Sequence, residues 1–480
     1  MILLPTIRMK KTPRQNARWI GLGLGCWLAF TAPPVQAQAA NSTDFQGSVV
    51  REKATDQVLP LGLEDAIARA LRTNLGLLLQ SDATQQARGE RLQALQSLLP
   101  TVTGTAQAVV AQTNLQAEGL RGPGFPVIIG PYGYTDFRLT LQQSLLNVPS
   151  LQNYLASRHD FQSAQFSMQD ARDMVVVTAA NAYLLCLADA ARVAGVQAQT
   201  DTAKLSLDQA VARHQAGVSP RLDELRARVD YQTQQQSLIA AQNQYDKDKI
   251  ALARVMGLPL DQKFQLTDDA PYAALDHVDA QQAMQQALQH RSDLQALQQQ
   301  VLSAKQTKSA ATLERLPQLN FEMDYGEIGV NPNSSYGTLN VAGTLSAPLF
   351  EEGKLRGDAR IADAQLAQAE ARANSLTAQV RADVEDSLLD IESAAKLVSA
   401  SQSNLQLAKE ALSEAQQRFQ AGVSGNLAVS QALTAVAQAN DAYVGSLYQH
   451  NLAKLSLARA LGVAQTQSKI ILGGGAPWQK

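Results

Sequence analysis

The sequence predicts a mainly α-helical chain with a smaller β part, in which one unit of paired strands and long helices occurs twice. Three observations predict this fold. The 480-residue chain contains a tandem repeat, four short segments alternate apolar and polar residues, and two stretches without proline are far longer than an ordinary helix. Together they favour an elongated, duplicated molecule.

The repeat is visible in three segments that recur in the same order: Leu99-Pro100 as Leu316-Pro317, RHQAGVS at 213–219 as RFQAGVS at 418–424, and LARVMG at 252–257 as LARALG at 457–462. The shift between the copies falls from 217 to 205 residues along the chain. The first copy therefore carries a longer insert before residue 213. The glycine- and proline-rich segment 119–134 is the expected insert, in the form of an exposed loop.

Each copy contains two segments whose residues alternate between apolar and polar. The second copy shows the pattern at 319–325 and 339–345, and the first copy shows it at 102–110 and 137–142. Alternation with a period of two is typical of β-strands that have one apolar and one polar face. We therefore predict two pairs of strands, one pair in each copy.

Each strand pair is followed by an unusually long helix. No proline occurs between Pro149 and Pro220 or between Pro348 and Pro477, and both stretches are rich in residues that favour helices. Apolar and small residues recur every three or four positions, which is typical of coiled coils: Leu405, Ala408, Leu412, Ala415 and Phe419. At about 1.5 Å per residue, a helix over residues 150–216 would be on the order of 100 Å long.

Shorter helices are predicted on either side of each long helix, at 63–98 and 221–257 in the first copy and at 278–315 and 426–461 in the second. The chain reverses at Gly217 and Gly422, since glycine commonly ends a helix. We expect the helix after each reversal to run back and meet the base of the first helix of its copy.

The first 37 residues have the pattern of a secretory signal peptide. Five basic residues precede the apolar run 19–32, and the small-residue site Val35-Gln36-Ala37 follows it. The apolar run is short for a membrane anchor, which is the alternative interpretation. Lipidation at Cys26 is disfavoured because Gly23 occupies a position where a lipoprotein signal has leucine. We expect cleavage after Ala37.

Exported amphipathic strands of about ten residues suit a tilted bilayer crossing. Four strands cannot close a barrel, and open sheet edges are not tolerated in lipid. The subunits are therefore expected to share one barrel. Two subunits would give eight strands and a filled interior, whereas three would give twelve strands and a lumen. The sequence thus favours a homotrimer embedded in outer membrane lipid.

Composition and motifs exclude several function classes. The net charge is −2 at pH 7 and becomes −7 without the first 37 residues, so nothing indicates nucleic-acid binding. Cys186 lies in an apolar stretch and is expected to be buried. The five histidines lack the spacing of metal ligands, and no glycine-rich phosphate loop occurs. We therefore predict no enzyme activity, no catalytic residue, no cofactor and no metal site.

The chain resembles the outer-membrane factors typified by TolC over about residues 61–463. The resemblance rests on LGLEDAIARAL at 61–71, the Leu-Pro before each first strand, Ala-Pro-Leu-Phe at 347–350 and the paired Gln-Ala-Gly-Val-Ser segments, all in order. It implies a homotrimer with a twelve-stranded outer-membrane barrel and a periplasmic α-helical coiled-coil tunnel. Such a channel is the passive exit duct of a tripartite efflux or type I secretion system, which includes a periplasmic adaptor protein and an inner-membrane pump of the RND, ABC or MFS class.

The resemblance also implies that the adaptor docks at the two helix reversals. The residues expected there are Gln215, Ala216, Gly217, Val218, Ser219, Gln420, Ala421, Gly422, Val423 and Ser424. Many relatives constrict the tunnel mouth with aspartates after the second reversal, but this chain has no acid there. The candidate entrance-lining residues are Asp223, Glu224, Ala428 and Gln431. Solvated charges on a helix face explain Asp223 and Glu224 without an entrance role.

The repeat predicts six segments: a signal peptide at 1–37, an N-terminal segment at 38–60, a first repeat at 61–257, an equatorial linker at 258–277, a second repeat at 278–463 and a tail at 464–480.

The sequence also disfavours three alternatives to the channel. A periplasmic adaptor also has coiled-coil hairpins, but it typically has one hairpin flanked by compact β domains. A diffusion porin needs more strands than this chain provides. A transmembrane helix at 174–188 is disfavoured because its repeat partner, 379–393, contains Asp383, Glu385, Asp386 and Asp390. Residues 174–188 are therefore expected to form a buried helix face.

Overall fold

The computed structural model describes residues 44–120, 122–268, 272–473 and 475. The predicted signal peptide and the end of the predicted tail lie outside them. The helices and strands in chain order are β1 (Leu59–Leu61), α1 (Leu63–Thr73), α2 (Leu75–Gln96), β2 (Thr101–Asn114), β3 (Ile128–Leu146), α3 (Val148–Gln215), α4 (Arg221–Met256), β4 (Phe264–Leu266), α5 (Ala280–His290), α6 (Ser292–Leu313), β5 (Gln318–Gly329), β6 (Ser335–Ser346), α7 (Glu352–Gln420), α8 (Asn426–Ala460) and α9 (Ala464–Leu472).

The duplicated, mostly helical organisation is confirmed. Each copy consists of a broken first helix, a strand pair, a long helix and a shorter returning helix. The long helices α3 and α7 contain 68 and 69 residues. The returning helices α4 and α8 begin at Arg221 and Asn426, as predicted.

The predicted first helix of each copy is wrong in one respect, because a break divides it. The breaks lie at Asn74 and Arg291, which are equivalent positions in the repeat, and both residues have extended backbone with ψ of 130° and 113°. The Asn74 side chain is buried, donates to the carbonyl of Phe45 at 2.7 Å and accepts from the amide of Leu77 at 3.4 Å. A long-range partner, Phe45, therefore stabilises this break.

Each returning helix ends at the break in the first helix of its own copy. Gly257 ends α4 with φ of +68°, and the Thr73 hydroxyl donates to the carbonyl of Met256 at 2.9 Å. Gly462 follows α8 with φ of +71°, and a Cβ there would lie 2.9 Å from the backbone nitrogen of Arg291. The last turns of α4 pack with Leu61 and Ala66 at the base of the first helix, as predicted, and α4 continues alongside α1 to the break.

The strands form one four-stranded antiparallel sheet in the order β2-β3-β5-β6, so the two copies join between β3 and β5. A second, parallel pair joins β1 to β4. This pair was not predicted, because each strand is only three residues long. It ties the segment between the repeats to the start of α1, and Phe264 of β4 is buried.

The apolar stretch 174–188 forms a buried face of α3, as predicted. Val175, Ala179, Tyr183 and Cys186 are all at most 1% exposed. Burial raises the pKa of the Cys186 thiol to about 12, which keeps it protonated and unreactive. By length and composition alone α3 could cross a membrane, and 44% of its most apolar window is buried inside this chain.

Two titratable residues lie fully buried on α8. The Lys454 ammonium donates to the carbonyls of Leu472, at 3.0 Å, and Ala273, and so joins α9 and the segment between the repeats to α8. Burial lowers the pKa of Lys454 to about 8. The His450 ring packs on Tyr272 with a centroid distance of 5.0 Å. Burial and the nearby Lys454 charge lower the pKa of His450 to about 4.

We expect acid to destabilise the protein through His450. The folded pKa of about 4 lies below the ordinary value of 6.5, so the unfolded chain takes up the proton first as the pH falls. The contribution of His450 to stability is complete above about pH 6.5 and is lost progressively towards about pH 4. At about 1.4 kcal/mol per pKa unit, the complete loss is about 3.5 kcal/mol. Thermal unfolding in detergent at about pH 7 and about pH 4.5 measures it.

The variant His450→Phe keeps an aromatic ring against Tyr272 but cannot titrate, so its melting temperature should fall less on acidification than that of the wild type. The control His277→Gln changes an exposed histidine and should retain the full fall. Equal falls in His450→Phe and the wild type would contradict the assignment.

Candidate functional site

The candidate site consists of the two hairpin tips, residues 213–219 and 418–424. Each tip ends a long helix that begins directly after a strand pair. At about 1.5 Å per residue, the tips lie on the order of 100 Å from the sheet. The sequence placed ten candidate residues in these turns, and the structure brings the two turns together.

The same backbone geometry forms both turns. In the first tip, the amide of Gly217 donates to the carbonyl of His214 at 2.9 Å, and the amide of Val218 donates to that of Arg213 at 2.9 Å. Gly422 and Val423 make the equivalent bonds at 3.0 Å. This pair of backbone hydrogen bonds defines a Schellman motif. The motif requires a residue with left-handed backbone conformation and therefore favours glycine.

An arginine of the first tip joins the two turns. The Arg213 guanidinium donates to the carbonyl of Phe419, and to that of Gln420 at 3.3 Å, at the end of α7. It also lies over the Phe419 ring, 4.8 Å from the centroid. A cation is favourable at a helix C-terminus, where carbonyls lack partners. This role of Arg213 was not predicted from the sequence, although an arginine occurs at the same position of both tips.

An apolar cluster supports the joined tips from the side of the helices. Ala203 of α3, Phe419 of α7, and Val429 and Leu433 of α8 are buried together. Next to the cluster, the Asn426 amide lies 3.5 Å from the carbonyl of Asp223 on α4. All four helices therefore meet immediately behind the turns.

The candidate entrance-lining residues lie on the first turns of α4 and α8. Glu224 pairs with Arg228 at 2.9 Å along the α4 surface, which is the geometry of a helix-face ion pair. Asp223 and Ala428 are half-buried, and Gln431 is exposed.

The tips expose apolar side chains. Val218 and Val423, which occupy equivalent positions, are 66% and 70% exposed. Leu222 on α4 and Leu427 on α8 are exposed beside them. Apolar side chains grouped at the end of a long hairpin are typical of a protein contact surface.

The polar face of the sheet carries a second group of interacting side chains. Arg138 of β3 pairs with Asp136, at 3.4 Å, and with Asp324 of β5. Asn340 of β6 donates to Asp324 at 3.1 Å, and Gln107 of β2 lies 3.4 Å from Asp136. The alternation predicted a polar face, but only the strand register shows that these residues interact across all four strands.

Within the described part of the chain, no group of His, Cys, Asp and Glu side chains is arranged to hold a metal ion.

Comparison with known proteins identifies the family. The pattern of the outer membrane efflux protein family matches residues 66–258 and 283–463. The chain is 27% identical over 322 residues to the pyoverdine export outer membrane protein OpmQ of Pseudomonas putida. That match covers 65% of this chain, and the chain spans 65% of the length of the relative.

Solved structures share the fold. The CmeC outer membrane channel of Campylobacter jejuni matches with a TM-score of 0.75 at 16% identity, over 90% of this chain and 96% of that one. The outer membrane protein VceC of Vibrio cholerae matches with a TM-score of 0.73 at 21% identity, over 83% of this chain and 96% of that one. The family pattern covers both repeats, and the chain therefore belongs to the outer membrane efflux protein family.

Proposed function

We propose that this chain is the exit duct of a tripartite export system. Three copies form the duct: their sheets close a twelve-stranded barrel in the outer membrane, and their helices form a tunnel in the periplasm. The observation that carries the proposal is the four-stranded sheet, whose outer strands β2 and β6 each lack a neighbour on one side within the described chain. Such edges must be paired in lipid.

The two faces of the sheet support closure of the barrel. Val102, Leu139, Tyr325 and Leu339 share one face and are 53–63% exposed in the single chain. Lipid would cover this apolar face in the outer membrane. The opposite face, with Asp136, Arg138 and Asp324, would line the lumen, where polar side chains remain hydrated.

The tips support the second half of the proposal, a periplasmic adaptor protein that docks at the far end of the tunnel. The exposed Val218 and Val423 present equivalent apolar contacts, and the ten turn residues 215–219 and 420–424 surround them. The adaptor links the duct to an inner-membrane pump of the RND, ABC or MFS class. The duct conducts passively, and the pump drives export.

The mass and conductance of the purified protein test the proposal. Protein extracted from outer membranes in detergent should have the mass of a trimer by native mass spectrometry and should conduct ions in a planar bilayer. Cells that lack the gene should lose export of the pump substrate and regain it on complementation. A stable monomer that still conducts ions would contradict the shared barrel.

A further inference from the structure

The two tips of one chain differ in how their arginines are used. Arg213 of the first tip binds the carbonyls of Phe419 and Gln420 in the second tip. Arg418 occupies the equivalent position in the second tip, 205 residues later, and its side chain is exposed. Within the described part of the chain, its guanidinium makes no hydrogen bond, ion pair or ring contact.

A closed ring of three subunits would place a neighbouring tip beside the Arg418 guanidinium. Three duplicated subunits place six tips in a ring around one axis, and first and second tips alternate in that ring. Around the ring, a first tip is followed by the second tip of its own chain. That second tip is followed by the first tip of the next subunit, so both kinds of neighbour have the same relative placement. Since both turns have the same backbone geometry, the arginine contact can repeat across the subunit boundary.

We propose that Arg418 binds the partner subunit's first tip as Arg213 binds the second tip within its own chain. Its guanidinium donates to the carbonyls of the partner subunit's His214 and Gln215 and lies over the His214 ring. This inference rests on the proposed homotrimer. It assigns an interaction surface for a second copy of this chain, and three such contacts close the ring.

The contact within one chain and the contact between subunits differ in strength, because His214 of the first tip occupies the position equivalent to Phe419 of the second tip. A phenyl face attracts a cation through its quadrupole. An imidazole face is less electron-rich than a phenyl face and attracts a cation less strongly. The contact between subunits is therefore the weaker one, so the mouth opens by separating neighbouring subunits before the two tips of one chain separate.

Ion conductance of the full-length purified protein in planar bilayers tests the contact. His214→Phe gives both tips the sequence RFQAGVS and should lower the conductance at least threefold. Arg418→Gln should raise it at least threefold. In the double variant, His214→Phe should have no further effect, because the arginine on which it acts is absent. The control Arg226→Gln removes an exposed arginine on α4 and should leave conductance unchanged.

Unchanged conductance in both single variants would overturn the contact. It would also be overturned if His214→Phe lowered the conductance equally in the wild type and in the Arg418→Gln variant. A second measurement uses cysteines at 214 and 418 in a Cys186→Ser background with a short bifunctional thiol reagent. Crosslinked dimers and trimers on a denaturing gel are expected, whereas crosslinks confined to monomers would overturn it. Native mass spectrometry of the wild type separates the two proposals, since a wild-type protein that is not a trimer contradicts the proposed function itself.

Discussion

Oxidation of cysteine pairs introduced between neighbouring subunits at Asp223 and Ala428 should abolish export. These residues lie on the first turns of α4 and α8, immediately behind the tips. If the tips form a closed periplasmic mouth, transport requires the helix pairs to separate, which is a change between two packed arrangements. A covalent bond across each subunit boundary prevents that separation without changing the sheet.

The crosslinks should be made in a Cys186→Ser background, with export of the pump substrate as the measurement. Trimer mass and outer-membrane insertion should be unchanged, and reduction should restore export. Each single-cysteine variant serves as a control and should export normally under oxidising conditions. Undiminished export with confirmed crosslinks at all three boundaries would show that the mouth lies elsewhere or opens differently.

The substitution Arg291→Leu should lower the free energy of unfolding by about 3–5 kcal/mol, the usual result of removing one partner from a buried ion pair. Arg291 is 5% exposed and lies at the break between α5 and α6. Its guanidinium contacts Asp293 at 2.7 Å and Asp383 of α7 at 2.5 Å. Burial tends to raise the pKa of Asp293, but hydrogen bonds and charge from Arg291 hold it below its ordinary value. Without the arginine, Asp293 loses its main compensating charge.

Thermal unfolding of the detergent-extracted protein measures this effect. The matched control is Arg315→Leu, because Arg315 pairs with Glu352 at 2.9 Å with both side chains about half exposed. Exposed pairs contribute at most about 1 kcal/mol, so the control should change stability little. Similar melting temperatures for the two variants would show that the buried pair does not stabilise the break.

The elements that depend on neighbouring residues could be predicted from the sequence. The long helix predicted at 150–216 is observed as Val148–Gln215, and the returning helix predicted at 221–257 is observed as Arg221–Met256. Their helix-favouring composition and the absence of proline act locally. The turn glycines Gly217 and Gly422 were also identified, since a left-handed residue at a helix end has a strong sequence preference.

The candidate site could be predicted only in part. The ten turn residues were identified through the repeated QAGVS segment, but the contact of Arg213 with Phe419 was not. That contact joins residues 206 positions apart, and no local pattern indicates which of two repeated arginines has a partner. The ion pair of Arg138 with Asp324 depends in the same way on the register between β3 and β5.

The sequence by itself determined the duplicated plan of this protein, because periodicity and proline placement act over a few residues and recur in both copies. Only the tertiary structure decided where the first helix of each copy breaks. Asn74 and Arg291 lie within continuous helical patterns, yet both leave the helical conformation where the returning helix ends at Gly257 or Gly462. Buried polar groups must find partners, and at these positions the partners are distant in the sequence and close only in the fold.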